Sequence, residues 1–302
     1  MSQTVLLTGG TGLIGSQLAD HLYDLGFEVR ILSRNPSQNS KFKLFHWDIF
    51  EKKLDMQALF GVDVIIALAG ASIASDRWSE DRKKVLYRSR IDGNMLLFDA
   101  VKRMDQKPGL FIGTSAVGIY GDRGKTMLDE SSEIGSPSFL VDLCQSWEES
   151  IFLFEELKMR VGLVRVGLVL SDLGGVLPTL KKTTILGIGS YIGSGLQYMP
   201  WVHIEDLINI YCIFINEHET QGIINGVGPD PVTNKQFMKT LVQSQKGFGI
   251  TFPTPSFLIK MVMGQRSALV LNSNRVISKK IQSVDYNYKF NTLKGALEDL
   301  SN

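Results

Sequence analysis

Three glycines near the start of the chain constrain its fold more than any other feature. Gly9, Gly12 and Gly15 form a G-x-x-G-x-x-G run directly after a strand-like apolar stretch, Thr4–Thr8. A helical pattern follows, carried by Leu18, Leu22 and Leu25 and ended by Gly26. Between a buried strand and a helix, such a run allows a sharp turn, close approach of a pyrophosphate to the main chain, and tight packing of helix on strand. The helix N-terminus then offers free N–H groups and the positive end of its dipole. The expected pyrophosphate cradle of a dinucleotide site is therefore Gly9, Thr11, Gly12, Leu13, Ile14 and Gly15. The competing reading is a glycine-rich turn that holds no ligand.

Beyond the loop, short apolar runs alternate with helical patterns. Val29–Leu32, Lys43–His46, Val62–Ala69 and Leu110–Thr114 read as strands, and Arg82–Met104 reads as one long helix. Ser136-Pro137 reads as an N-cap with proline at the first helical position, opening a helix to Lys158. Val161–Leu170 reads as a strand, Ile204–Asn216 as a helix and Ile223–Gly226 as a short strand. Such alternation predicts an α/β fold, a doubly wound parallel sheet covered on both faces. After residue 170 the rhythm loosens, and no clear βαβ repeat is visible. The dinucleotide-binding domain is expected over residues 1–165, with returning segments near 201–226. A C-terminal substrate-binding portion is expected over 166–302.

Composition narrows the function. Apolar residues make up 44% of the 302-residue chain, which is ordinary for a globular protein. Lys and Arg number 32 against 31 Asp and Glu, so net charge lends no support to a nucleic-acid or anionic-membrane partner. Two cysteines, Cys144 and Cys212, are too few for a disulfide scaffold and fit a reduced, cytoplasmic setting. No metal-ligand spacing exists among them and the four histidines. No apolar stretch is long enough to span a membrane, and there is no signal-peptide pattern.

The end of the second strand selects between NAD and NADP. An Asp or Glu there would hold a ribose 2′-hydroxyl. This chain has Ser33 and Arg34, with Arg30 earlier on the strand. A hydroxyl and a guanidinium suit a 2′-phosphate, which favours NADP(H). The alternative is that Arg34 is a solvated loop charge. Asp48, after the third strand, stands where an acid can accept the adenine amino group, or is a plain loop aspartate.

Several further runs carry a family resemblance. They include Thr8–Gly15, Leu68-Ala-Gly-Ala-Ser-Ile73, Arg88-Ser-Arg-Ile91, Ser115-Ala-Val-Gly-Ile-Tyr-Gly121, Phe139–Glu148, Arg165–Ser171 and Trp201-Val-His-Ile-Glu-Asp206. Together they resemble the extended short-chain dehydrogenase/reductases, and more closely the atypical "epimerase family" branch of that superfamily. The resemblance covers nearly the whole chain and includes the small C-terminal domain of the branch, at about residues 253–297. It implies a Rossmann fold, an NAD(P)-dependent oxidoreductase or nucleotide-sugar epimerase, and cofactor contacts from Leu68, Ala69 and Gly70.

The resemblance also exposes a departure. Active members use a Ser or Thr, a Tyr, and a Lys four residues after the Tyr; the Tyr exchanges a proton and the Lys lowers its pKa. None of the eight tyrosines here is followed by Lys at that spacing. By resemblance the slot falls at Phe139 and Leu143, an apolar pair one helical turn apart. Ser115 occupies the region of the family's serine. Tyr120 and Asp142 are the other candidate proton carriers, Asp142 lying about 60° round the helix from Phe139. Cys144 lies about 140° away, Glu148 is further along the helix, and His203 is a more distant candidate.

The substrate side departs as well. By resemblance, sugar-nucleotide epimerases place an Arg two residues after the Gln of a Gly-x-Gln loop; here Gln197 is followed by Tyr198 and Met199. Met199 cannot bind phosphate. Trp78, Trp147, Trp201 and Tyr198 suggest an apolar, aromatic cleft, or simply core. Arg77, Arg88 and Arg90 could reach a cofactor, or form a charged helix face. Three readings stand open: an NADP(H)-dependent oxidoreductase or epimerase of unknown small-molecule substrate, a non-catalytic NADP(H)-binding sensor or scaffold, and a nucleotide-sugar epimerase. A homodimer through the Ser136–Lys158 helix is a family expectation.

Overall fold

The computed structural model describes residues 2–301 apart from Gln38, Ile185 and Asp285. In chain order the elements begin with β1 (Thr4–Thr8), α1 (Leu13–Asp24), β2 (Glu28–Ser33), β3 (Lys43–Asp48), β4 (Lys53–Leu54) and β5 (Val64–Ala67). They continue with α2 (Glu80–Arg88), α3 (Ile91–Lys102), β6 (Leu110–Ala116), β7 (Met127–Leu128), α4 (Phe139–Phe152), β8 (Arg160–Val166) and β9 (Leu168–Leu170). Next come α5 (Leu177–Thr183), β10 (Ile188–Ile192), β11 (Tyr198–Met199), β12 (Trp201–His203), α6 (Ile204–Asn216), β13 (Gly222–Gly226) and β14 (Val232–Thr233). The chain ends with α7 (Asn234–Lys246), β15 (Ile250–Thr254), α8 (Ser256–Met263), α9 (Ala268–Leu271), β16 (Arg275–Val276), α10 (Lys279–Ser283) and α11 (Leu293–Asp299).

The chain forms two compact units. The first comprises Met1–Ser115, Leu143–Val164 and Ile210–Ile223. It is built on an eight-stranded sheet of order β13-β8-β6-β5-β1-β2-β3-β4. β1 pairs in parallel with β2 and β5, β2 with β3, and β5 with β6. β4 returns antiparallel against β3. All five residues of β1 are buried, as a strand covered on both faces requires. Phe111 of β6 stacks on Phe154 at 3.6 Å within a core that also takes Leu97, Val101, Trp147 and Ile151. A Cβ at Gly113 would lie 2.5 Å from Ile151, so this strand position is glycine to let α4 seat flat. The doubly wound α/β sheet expected from the alternating runs is thus the observed fold.

The second unit comprises Ala116–Asp142, Arg165–Asn209 and Ile224–Asn302. Its core gathers Trp201, Phe237, Leu241, Phe290, Leu293 and Leu297. Small strand pairs surround it: β9 with β12 and β10 with β15 in parallel, β11 with β14 antiparallel. α7 opens on a capping box, Thr233 and Gln236 exchanging side-chain and backbone bonds, and closes on Gly247 at φ +73°. Buried Asp206 ties the chain's last segment to the start of α6: its carboxylate accepts from Tyr286 Oη at 2.7 Å and from the amides of Lys289 and Phe290 at 2.8 and 3.1 Å. No described helix is long and apolar enough to cross a membrane.

Three boundaries correct the sequence expectations. The long helix over Arg82–Met104 is two helices, α2 and α3, broken at Ser89 and Arg90. Ser89 Oγ accepts from the Ala71 amide and donates to the Leu86 carbonyl, so the break is stabilised by side-chain bonds of the kind that compete with helix. α4 begins at Phe139, not at Pro137. Ser138 supplies the cap, accepting from the Val141 amide at 3.4 Å, while Gly135 packs where a Cβ would stand 2.5 Å from the Tyr120 carbonyl oxygen. The strand over Val161–Leu170 divides at Gly167, where a Cβ would meet the Pro200 carbonyl at 2.3 Å. By contrast, β1 and α6 match their expected limits.

Candidate functional site

The first unit brings the C-terminal ends of its parallel strands to one edge, around the point where the chain turns from β1–β2–β3 back to β5. Open α/β sheets bind their ligands at such a reversal. The glycine loop stands there. Gly9 has φ +69°, and a Cβ on it would lie 2.9 Å from the backbone of Leu68 and Ala69. A Cβ on Gly15 would stand 2.2 Å from the Gly9 carbonyl oxygen. Both positions therefore require glycine, one for its dihedral and one for the close seat of α1 on the turn. Gly12 caps α1 with no side-chain bond, and no carboxylate occupies the first helical turn. The amides of Leu13, Ile14 and Gly15 are left without a capping side chain, and the helix dipole is uncompensated. Such a site favours an anion.

The loop after β5 lies against the cradle. Thr8 Oγ1 accepts from the Ala69 amide at 3.1 Å, and the Leu68 amide donates to the Thr8 carbonyl. Leu68 and Ala69 are half-buried and Gly70 is exposed. Behind Gly70 sits Arg90, only 8% exposed. Its guanidinium donates to the Leu86 and Ala71 carbonyls at 3.1 and 3.0 Å and lies over the Trp147 ring at 4.8 Å. Those partners are neutral, and burial pulls its pKa down to about 10. Arg90 is thus a buried positioning residue for the loop, where a charged helix face was one expectation. Its type and place are visible in the sequence; its burial is not.

Ser33, the last residue of β2, is half-buried, and Arg34 beyond it is exposed. Arg30 does not join them: it donates to Glu28 and to the carbonyls of Ala58 and Phe60. Asp48 ends β3, and its Oδ1 accepts from the amides of Phe50 and Glu51 at 2.8 and 3.0 Å. The Glu51 amide is the chief cause holding this carboxyl below its usual range, and the Arg34 charge adds to it. Ser115, near the end of β6, is 1% exposed and its Oγ has no hydrogen-bond partner among the described residues. A buried hydroxyl left unpaired is costly and calls for an explanation.

The other candidates belong to the second unit or to α4. Tyr120 is fully buried, and its hydroxyl is committed on every side. It lies 3.0 Å from the Asp129 carbonyl and 2.8 Å from Asn225 Oδ1, and it accepts from Arg165 at 2.9 Å. Burial is the main cause raising its pKa. Asp142 is exposed on the first turn of α4. Phe139 is half-buried there, and Leu143, one turn on, is buried. Cys144 is buried and in no disulfide, and Glu148 is buried. His203 is buried against Phe290 at a ring distance of 3.8 Å, and its Nδ1 accepts from the Glu205 amide. Its Nε2 faces Asp299 at 3.4 Å. Burial, the largest cause, lowers its pKa and keeps it a neutral core histidine. No group of described His, Cys, Asp and Glu side chains could hold a metal ion.

A parallel sheet with a glycine-rich turn at its reversal is the architecture of the Rossmann-type nucleotide-binding folds. The profile of the NAD dependent epimerase/dehydratase family matches residues 5–139, and that of a domain of unknown function, DUF1731, matches residues 254–300. An epimerase family protein of Staphylococcus aureus strain MRSA252 is 34% identical over 299 residues, covering 98% of each chain. The crystal structure of the human epimerase family protein SDR39U1 with NADPH superposes with a TM-score of 0.88 at 30% identity, covering 99% of both chains. A nucleoside-diphosphate sugar epimerase of Corynebacterium glutamicum is 28% identical with a TM-score of 0.80; this chain spans 59% of its length. The chain belongs to the epimerase family, with the DUF1731 domain at its C-terminal end.

Proposed function

We propose that this protein binds NADP(H) and acts as an oxidoreductase or epimerase of atypical mechanism on a small molecule with few charged groups. The observation that carries this reading is the uncapped N-terminus of α1 behind a loop whose glycines leave no room for side chains. On this reading Gly9, Thr11, Gly12, Leu13, Ile14 and Gly15 hold the pyrophosphate, and Ser33 and Arg34 hold the 2′-phosphate. Asp48 meets the adenine, and Leu68, Ala69 and Gly70 line the site. Residues 1–165, with segments near 201–226, form the cofactor half, and 166–302 the substrate half. The human relative's structure with NADPH supports the choice of cofactor.

Bound nicotinamide would supply hydride chemistry. The chain's own part is to orient a carbonyl and manage a proton without the Tyr-Lys pair. Ser115 is suited to donate to a substrate oxygen, because its hydroxyl is buried and unpaired. Asp142 is the exposed acid on the neighbouring turn of sequence. Tyr120 is a weaker candidate, since its hydroxyl is already bound.

A second reading, a non-catalytic NADP(H) sensor or scaffold, is favoured by Phe139 and Leu143, which cannot exchange a proton. A nucleotide-sugar epimerase is disfavoured by Met199, in the phosphate-binding place, although the bacterial relative carries that name. The test is calorimetric titration of cofactor-free protein with NADPH, NADP⁺, NADH and NAD⁺. NADPH should bind more tightly than NADH, and Arg34→Ala should weaken NADPH about tenfold while leaving NADH unchanged. Binding of none of the four, or equal binding of NADH and NADPH by both proteins, sinks the proposal. Loss of NADPH absorbance on addition of a carbonyl compound then separates enzyme from sensor.

A further inference from the structure

The net charge of +1 conceals a sharp division. Between Asp172 and Glu205, and again between Asp230 and Asp285, the sequence holds ten lysines and arginines and no carboxylate. The remainder carries 22 Lys and Arg against 31 Asp and Glu. Both stretches belong to the second unit. They also supply eleven of the eighteen large apolar side chains found exposed among the described residues.

Those side chains are ordered by regular structure. β10 and β15 pair so that Ile188 faces out beside Ile250, and Ser190 beside Phe252. Ile188, Ile250 and Phe252 are exposed. The intervening Gly189 lies on the other face, where a Cβ would stand 2.5 Å from Val242 of α7. β15 then passes through Pro255 directly into α8, none of whose residues is buried. Phe257, Leu258, Met261 and Val262 fall at i, i+1, i+4 and i+5, on one face of that helix, with Phe257 65% and Met261 70% exposed. An eight-residue helix with an unburied apolar stripe is not explained by its own unit. Exposed lysines accompany it: Lys260 on α8 itself, Lys246 at the end of α7 beside exposed Phe248, and Lys182 and Lys239.

We propose that this face lies on a membrane surface rich in anionic lipid headgroups. The apolar side chains of α8 enter the acyl boundary, and the long lysines reach back to the phosphates. Charge complementarity selects this occupant. A two-fold contact with a second copy would set the same carboxylate-free stretches against themselves, cation to cation. A neutral protein surface would leave the lysines without partners. The protein does not span the bilayer in this arrangement; it rests on it.

The test is co-sedimentation of the full chain with phosphatidylglycerol vesicles and with phosphatidylcholine vesicles. Binding to the anionic vesicles is expected to be at least about tenfold tighter and to weaken in high salt. Lys246→Gln and Lys260→Gln should each lower it about fivefold. Phe257→Ser combined with Met261→Glu should abolish it while the thermal midpoint stays at the wild-type value. The proposal is overturned if anionic vesicles do not bind, or if their binding survives the Phe257/Met261 change. It is equally overturned if sedimentation instead reveals a dimer, or a complex with an acidic protein, that the same change disrupts without any vesicle binding.

Discussion

The two units build their polar clusters from different parts of the chain. In the first, the candidate site is made largely of main chain: amides of α1 without a cap, a loop held at glycine, and one hydroxyl, Ser115, with no partner. In the second, side-chain networks hold several buried polar groups, although His203 Nε2, Asn274 Oδ1 and Arg275 Nε have no hydrogen-bond partner among the described residues. Asp206 takes three donors, Tyr120 is bound by Arg165 and Asn225, and Glu130 accepts from Ser278 and from the amides of Asn225 and Lys279. A cluster whose members bond to one another has a structural role, and an unpaired buried group needs its own explanation. The contrast is between a glycine loop with uncapped amides in the first unit and the bonded clusters around Asp206, Tyr120 and Glu130 in the second.

The largest effect expected from breaking this contrast is at Gly15. Gly15→Val would drive side-chain atoms into the Gly9 carbonyl, costing about 3 kcal/mol or more and displacing α1 from the turn. Thermal unfolding should show the loss, and calorimetry should find no nucleotide binding. Wild-type NADPH affinity in this variant would mean that the glycine loop is not the cradle. Asp206→Asn should come next, at about 2 kcal/mol, because an amide donor would face the Phe290 amide in place of a carboxylate oxygen. Its thermal midpoint should fall while nucleotide affinity stays within about twofold of wild type, a change of less than about 0.5 kcal/mol. Collapse of binding together with stability would remove the distinction between the units.

Two buried hydroxyls five positions apart sharpen the comparison further. Removing either deletes one oxygen, yet the signs should differ. Tyr120→Phe removes one hydrogen bond from Arg165 and one from Asn225 and should destabilise by about 1 kcal/mol. Ser115→Ala removes an oxygen that already lacks a partner, so the ligand-free protein should be unchanged or stabilised by up to about 1 kcal/mol. Paired thermal unfolding measurements decide it: a loss at Ser115 equal to that at Tyr120 would show that Ser115 is structural and not held for a ligand.

The same contrast explains what could be read from the sequence. A main-chain turn leaves its mark in glycine spacing, so the glycine turn at Gly9–Gly15 and the strands around it were legible, β1 to the residue. The side-chain network of the second unit left no such mark. Tyr120, Asp129 and Asn225 are ordinary polar residues in sequence, and only the fold brings together partners 105 positions apart. Ser89 and Arg90 ended a helix that periodicity alone carries straight through, because the bonds that end it run to Ala71, in another loop. The basic, apolar face of the second unit was invisible for a different reason. Whole-chain net charge averages it against an acidic remainder.

The smallest effect is the pH response of His203, a buried ring whose Nε2 has no hydrogen-bond partner among the described residues. Burial lowers its folded pKa below the unfolded value near 6.5, and the opposing attraction of Glu205, Asp299 and Asp206 does not reverse the shift. Above pH 6.5 both states are neutral there, and the contribution to stability is complete. As pH falls below about 6.5, the unfolded chain takes up a proton that the folded chain refuses, and stability declines until pH passes the folded pKa. Asp129 does not interfere in this window: Lys279, its chief partner, holds its carboxyl at about 2, so its contribution is lost only in stronger acid. The thermal midpoint should therefore fall between pH 7 and pH 5, and His203→Gln should flatten that slope while lowering the midpoint at pH 7. An unchanged slope would mean that His203 gains a proton in the folded state, in which case its facing Asp299 would be a true ion pair and the second unit would hold a switchable charge after all.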